Sequence, residues 1–288
     1  MVYGTIPLME TSERIRPKKS LGQNFLKDPA YLNRIADAAD IGPEDSVLEI
    51  GPGLGHLTRI LTDRAKKVLA LELDERLIPH LHKTFHDVRN FDLVHCDALA
   101  YPYGSLSGSW KVVANLPYYI STPIIQKLIQ FRTHFTTITL LLQKEVAERI
   151  AANPGNKDYG YLSVLVQLSA EAKVEFAVPA GAFTPQPNVD SAVITLVLRE
   201  QPAVVPQDRN FFISVVKAAF SQRRKTLRNS LKQLKVPREQ MDLVLCTTGI
   251  DLNRRAETLS VAEFGSLADF LLSSPDLRDS AIRDAVTS

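Results

Sequence analysis

Between residues 28 and 152, short apolar runs alternate with segments whose apolar residues recur every three or four positions. The runs "SVLEI" (46–50), "KVLALE" (67–72), "FDLVHCD" (91–97), "WKVVAN" (110–115) and "TITLLLQ" (137–143) predict strands. Between them, "HLTRILTDRA", "DERLIPHLHKTF", "TPIIQKLIQF" and "KEVAERIAA" predict helices. "DPAYLNRIADAAD" predicts a helix ahead of the first strand, with Asp28 as its cap and Pro29 at its first position. Thr122 and Pro123 open "TPIIQKLIQF" in the same way. Strands alternating with helices imply parallel pairing and a sheet covered on both faces. Two later runs, "EAKVEFAV" and "SAVITLVLR", predict antiparallel strands that close the sheet at its edge.

The pattern changes at "EQPAVVPQD" (200–208), which reads as a linker. Beyond it come only helical patterns: "NFFISVVKAAF", "RKTLRNSLKQL", "EQMDLVLCTTG" and "SVAEFGSLADFLL". The expected organisation is a flexible basic arm over 1–23, an α/β domain over 24–202, a small all-helical domain over 203–273 and a mobile polar tail over 274–288. A chain of 288 residues is long enough to give both domains a core.

Composition narrows the setting. No apolar stretch approaches the roughly 20 residues of a membrane span, and "METSERIRPKKS" lacks the apolar core of a secretion signal. Cys96 and Cys246 form no metal-binding spacing, and two free thiols suit a reducing cytoplasm. His80, His82 and His86 point in different directions on a helix, so no metal site is expected. A net charge of +2 does not by itself announce a nucleic-acid binder. The distribution says more: "RIRPKK" (14–19) and "RRKTLRNSLKQLK" (223–235) are basic with almost no acid between them. A solvated helix face and a frayed arm would account for these charges equally well.

Chemistry enters with "VLEIGPGLGHLT", where a strand runs into Gly51, Gly53 and Gly55. Glycines there let the backbone turn tightly and a ligand approach closely. The dinucleotide fingerprint needs a further glycine where His56 stands, which disfavours a pyrophosphate cradle. Glu72 closes the next strand about 20 residues on, where a carboxylate accepts hydrogen bonds from ribose hydroxyls. Asp97 ends the following strand and is placed to accept from an adenine amine. The ligand so described is a nucleoside without phosphates, and S-adenosyl-L-methionine fits. Glu49, inside the glycine motif, would orient the loop or the methionine end of that ligand. Exposed surface acids are the plainer account of Glu72 and Asp97.

"NLPYYIS" (115–121) ends the fourth strand on the same rim. An exocyclic adenine amine is a poor nucleophile, because its lone pair is delocalised into the ring. The side-chain carbonyl of Asn115 and the backbone carbonyl of Leu116 can accept its two N–H bonds, which favours a pyramidal nitrogen with an available lone pair. Pro117 fixes the turn without adding a donor, and Tyr118 offers a stacking face. A helix-entry turn with packed tyrosines is the alternative.

Together, "RPKKSLGQNFL", "EIGPGLGHLT", "NLPYYIS", "FTPQPNVDSAV" and "AFSQRRKTLRNSLK" resemble the ribosomal RNA adenine dimethyltransferase family, over about residues 16 to 232. More narrowly, these motifs resemble those of the bacterial enzyme that dimethylates two adjacent adenosines near the 3′ end of 16S ribosomal RNA. The resemblance implies a class I S-adenosylmethionine-dependent methyltransferase fold, Rossmann-like and mostly parallel, with a helical C-terminal domain. It implies a role in maturation of the small (30S) subunit, acting on that subunit or its precursor. It puts Asn24, Leu26, Gly51, Glu72, Asp97 and Asn115 on the cofactor, and makes Asn115, Leu116, Pro117 and Tyr118 the target-amine motif. Phe183 would stack on the other face of the target adenine. The arm and Arg223, Arg224, Lys225 and Arg228, within two turns of a helix, become RNA contacts. One departure is Asn188, where the family usually carries lysine or arginine. A large-subunit macrolide-resistance methyltransferase and a non-catalytic assembly factor remain alternatives, and His56 argues against an oxidoreductase. A monomer is the default expectation.

Overall fold

The computed structural model describes residues 16–18 and 21–273. Most of the expected arm and all of the expected tail lie outside the described residues. In chain order the elements are β1 (Phe25–Leu26), α1 (Pro29–Ala38), β2 (Ser46–Ile50), α2 (His56–Arg64), β3 (Lys67–Glu72), α3 (Ile78–Thr84) and β4 (Phe91–His95). Next come β5 (Trp110–Asn115), α4 (Ser121–Gln130), β6 (Phe135–Gln143), α5 (Lys144–Ala151), α6 (Tyr161–Gln167), β7 (Ala170–Val178), β8 (Phe183–Thr184) and β9 (Ser191–Leu198). The chain then continues with α7 (Arg209–Phe220), α8 (Leu227–Ser230), α9 (Arg238–Thr248) and α10 (Val261–Leu272). None of the described helices is long and apolar enough to cross a membrane.

The helix starts follow local chemistry. Asp28 is extended and its side chain accepts from the Ala30 N–H at 2.9 Å, with Pro29 opening α1, as expected. This helix buries Leu32, Ile35 and Ala36 on one stripe. Thr122, by contrast, is no cap. A 3₁₀ turn over Tyr118–Ile120 runs straight into α4, so Ser121 is already helical.

Seven strands form one sheet in the order β4-β3-β2-β5-β6-β9-β7. β2 pairs in parallel with both β3 and β5, and β3–β4 and β5–β6 are parallel too. β9 runs antiparallel to β6. It was expected at the sheet's edge but lies inside, with β7 outermost. Its first six residues are all buried, the continuous pattern of a strand covered on both faces. A second, two-stranded sheet pairs Phe25 with Thr184 and Leu26 with Phe183. Strands of two residues carry no periodicity, and nothing in the sequence announced them.

The described chain falls into two compact units. One holds the chain up to Ala147 with Lys173–Leu198; the other holds Glu148–Ala172 with the chain from Arg199 onward. The division therefore does not follow the expected single cut between 202 and 203. Tyr159, Val164 and Leu168 are buried in the same core as Phe212, Val216 and Leu267, which draws α6 into the helical unit. In that unit α10 starts with a reciprocal cap, Ser260 bonding to the Glu263 N–H and Glu263 to the Ser260 N–H.

"RKTLRNSLKQL" is not one helix. Arg223, Arg224 and Lys225 lie in a turn, α8 covers only four residues, and a 3₁₀ turn follows over Leu231–Leu234. The Leu227 and Arg228 N–H groups donate to the carbonyls of Arg254 and Leu252, at 2.9 and 3.0 Å. Those donors are thus taken by another segment rather than by a preceding helical turn.

Leu168 is 2% exposed in this core. Leu168→Ala should destabilise the helical unit by about 2–5 kcal/mol, read by chemical denaturation. A loss below about 1 kcal/mol would mean that 148–172 does not share that core.

Candidate active site

Gly51 directly follows β2, Glu72 is the last residue of β3 and Asn115 the last of β5. Because these strands are parallel, their carboxyl ends share one rim, where open α/β sheets bind ligands. Asp97 stands two residues beyond the end of β4. A cavity on this rim is lined by Gly51, Glu72, Asp97 and Asn115, and also by Asn24 and Leu26 from the N-terminal segment. Leu116, Pro117, Tyr118 and Phe183 line the same cavity. The residues chosen for cofactor and for amine therefore meet in one place. Sequence reasoning passed over Gln23, Leu73, Ala98 and Tyr119, which also line it. As loop residues, they carry no periodic signal.

The glycine loop is shaped for a guest. Gly51 has φ +72°, and a Cβ there would meet nothing closer than the Asn115 carbonyl oxygen at 3.9 Å. That is an ordinary contact, so it is the positive φ that favours glycine at this position. Gly55 differs: at φ +82° its Cβ would sit 2.7 Å from the Phe85 ring, so this glycine serves packing.

The acids of the rim are held in different ways. Glu72 accepts from the Gly53 N–H at 3.1 Å and from the Asp74 N–H at 2.8 Å. Burial raises its pKa, opposed by these backbone donors. Glu49 is 2% exposed, and its Oε2 has no hydrogen-bond partner among the described residues. Burial, chiefly, and repulsion from Glu72 push its pKa up to about 8, with the Thr58 side chain opposing. Asp97 Oδ1 accepts from the Leu99 N–H at 2.8 Å.

The amine motif is equally anchored. Asn115 Nδ2 donates to the Asn24 carbonyl at 3.2 Å, which leaves Oδ1 as the amide's accepting end. Pro117 holds φ −57° and ψ 133° ahead of the 3₁₀ turn. The Tyr118 hydroxyl bonds to Ser191 Oγ at 2.8 Å, and burial raises its pKa. Phe183 is buried at 4% exposure, fixed by its pairing with Leu26.

The basic candidates belong to the helical unit. Arg223 Nη2 donates to the Lys157 carbonyl at 2.6 Å, and Arg228 pairs with Asp242 at 2.8 Å. Arg224 and Lys225 are exposed, and their side chains have no partner among the described residues. Only Arg228 is helical, so the expected array over two helical turns is replaced by a basic turn before α8. Asn188 is exposed.

A mostly parallel seven-stranded sheet, a glycine loop after β2 and an acid ending β3 define a class I, Rossmann-like methyltransferase. Sequence comparison gives the family. The signature of "Ribosomal RNA adenine dimethylase" matches residues 14–272, and the chain belongs to that family. Two proteins called ribosomal RNA small subunit methyltransferase A are similar to it. The one from Clostridium acetobutylicum is 48% identical over 257 residues, covering 88% of this chain and 93% of its own. The one from Geobacillus kaustophilus is 50% identical over 266 residues, covering 88% and 90%. Among solved structures, a dimethyladenosine transferase from Plasmodium falciparum superposes with a TM-score of 0.74 at 30% identity, covering 84% of this chain and 95% of its own. The 23S rRNA methyltransferase ErmE gives 0.67 at 29% identity, covering 86% and 99%.

A carboxyl whose pKa is higher folded than unfolded binds more protons when folded. Its contribution to stability therefore falls as pH rises from 4.5 towards about 8. Glu49→Gln should remove that loss. Relative to the parent protein, the ligand-free variant should gain stability between about pH 5 and about pH 8 in thermal unfolding. A difference that does not change with pH would show that Glu49 is ionised throughout.

Proposed function

We propose that this protein dimethylates the N6 amines of two adjacent adenosines near the 3′ end of 16S ribosomal RNA, in the small subunit or its precursor. S-Adenosylmethionine is the donor, the setting is the cytoplasm, and the protein acts as a monomer. The observation that carries this reading is the Asn115 amide: its nitrogen is engaged by the Asn24 carbonyl, and its oxygen is left for an amine. The cavity at Gly51 and the unpartnered Oε2 of buried Glu49 fit a small polar ligand. Asn24, Leu26, Gly51, Glu72, Asp97 and Asn115 would hold it. Glu72 is an acceptor-only carboxylate with two oxygens on the rim, suited to ribose hydroxyls. When bound, S-adenosylmethionine supplies an electrophilic methyl group.

The chain's own residues then do the orienting. Asn115 Oδ1 and the Leu116 carbonyl accept the two N–H bonds of the target amine, turning its lone pair outward. Tyr118 and Phe183 hold the two faces of the base. The Tyr118 hydroxyl stays protonated near neutrality, so it is not a base. None is needed: the amine becomes acidic once alkylated, and its proton passes to water. Catalysis here is orientation. The small-subunit substrate is supported by relatives at 48–50% identity carrying that name, against 29% for the large-subunit enzyme. The turn with Arg224 and Lys225 would supply phosphate contacts.

Two measurements test this reading. Labelled S-adenosylmethionine with small subunits from a strain lacking the modification should give dimethyladenosine, and large subunits should give none. Asn115→Ala should lower the rate by about a hundredfold or more. Label in the large subunit, or none in a small subunit that the protein binds, would sink it. For RNA binding, the Arg224→Gln/Lys225→Gln double variant should reduce the slope of log K against log salt by about 1.5. Cofactor affinity should stay unchanged. An unaltered slope would remove this turn from the RNA interface.

A further inference from the structure

The rim carries a buried carboxylate that the chemistry above does not use. Asp74 lies two residues past Glu72 and is 4% exposed. Its N–H donates to Glu72 Oε1 at 2.8 Å. Its Oδ1 accepts from Arg76 Nε at 2.8 Å, and its Oδ2 accepts from Arg76 Nη2 and from Gln23 Nε2, the latter at 2.9 Å. Gln23 Oε1 accepts in turn from the Lys18 N–H at 2.8 Å, and Arg76 Nη1 donates to the Arg16 carbonyl at 3.3 Å. Residues before β1 are thus bonded to the turn after β3. A buried carboxylate needs such donors, since an unpaired one is costly to bury. The Arg76 and Gln23 donors hold Asp74 ionised, with its pKa drawn down to about 2.

The residue after Gln23 is Asn24, whose carbonyl takes the Asn115 amide N–H. Phe25 and Leu26 are then fixed by pairing with Thr184 and Phe183. The segment is a strap, fastened by β-pairing at one end and by Asp74 at the other.

The two ends of an asparagine amide have almost the same shape but opposite hydrogen-bonding character. Flipped, Asn115 would present NH₂ to the NH₂ of adenine, donor against donor. A backbone carbonyl only accepts, so the Asn24 carbonyl selects the productive orientation. We propose that Gln23, Asp74 and Arg76 are positioning residues for methyl transfer: they latch the strap so that Asn24 holds the Asn115 amide with its oxygen towards the target amine. The proposal rests on Asn115 acting on that amine.

The test separates the donor at residue 23 from its bulk. Gln23→Glu keeps the shape, loses the donor and sets a like charge against Asp74. Gln23→Lys restores a donor. The full-length protein is assayed with saturating labelled S-adenosylmethionine and small subunits. Gln23→Glu should lower kcat by about tenfold or more, and Gln23→Lys should recover it to within about threefold of the parent. Hydrogen exchange should speed up over Leu21–Leu26 in Gln23→Glu and return towards the parental rate in Gln23→Lys, with β5 unchanged in both. Parental kcat in Gln23→Glu, or equal losses in both variants, overturns the proposal. If the parent protein itself transfers no methyl group to adenine, the functional reading fails and takes the proposal with it. The exchange comparison distinguishes that failure from failure of the latch.

Discussion

The parallel pairing of β2 with β3 on one side and β5 on the other is the constraint from which the site follows. Their registers pair Ile50 with both Leu71 and Ala114, so the three strands end level and on the same rim. The ladder continues past the strand ends: the Gly51 N–H bonds to the Leu71 carbonyl at 2.9 Å, and the Cys96 N–H to the Glu72 carbonyl at 3.0 Å. That continuation keeps the glycine loop, the acid of β3 and the segment carrying Asp97 in one surface. The antiparallel β9 adds what parallel strands cannot, bringing the hydroxyl of its first residue, Ser191, to Tyr118.

Three of the acids on this rim, Glu49, Glu72 and Asp74, are each handled by a different means. Glu49 is neutralised by burial, Glu72 is held by backbone N–H groups, and Asp74 is paired with an arginine and an amide. The first suits a contact that needs no fixed charge, the second a hydroxyl acceptor, the third an anchor. Three ionised carboxylates side by side would repel strongly at low dielectric. Distributing their states lets the loop carry them all.

The helical unit solves a separate problem. Its core takes in α6, which precedes β7 in the chain, along with the helices after β9. Its basic turn is closed by the Lys225 N–H bond to the Gln222 carbonyl at 3.0 Å, and α8 behind it is held by backbone bonds to residues 252 and 254, while Arg224 and Lys225 stay exposed at the surface. A turn fixed by its backbone with free cationic side chains costs little to order against phosphates.

Much of the α/β unit is legible in the sequence, because each strand from 46 to 143 is a self-contained apolar run and each chemical motif sits at such a run's end. Gly51, Glu72, Asp97 and the Asn115–Tyr118 motif could be chosen for that reason: in a parallel sheet, position at a strand's end already implies position on the rim. What the sequence could not state depends on partners distant in the chain. Asn115 meets Asn24 across 91 residues, and Gln23 meets Asp74 across 51, with no local periodicity to mark either. The inner place of β9, the capture of α6 by the helical core and the break in the basic helix are also choices among tertiary partners. Local pattern determined the elements and their chemical ends; the tertiary structure decided which of them touch, because burial and hydrogen bonding between distant segments are satisfied only once the chain has folded.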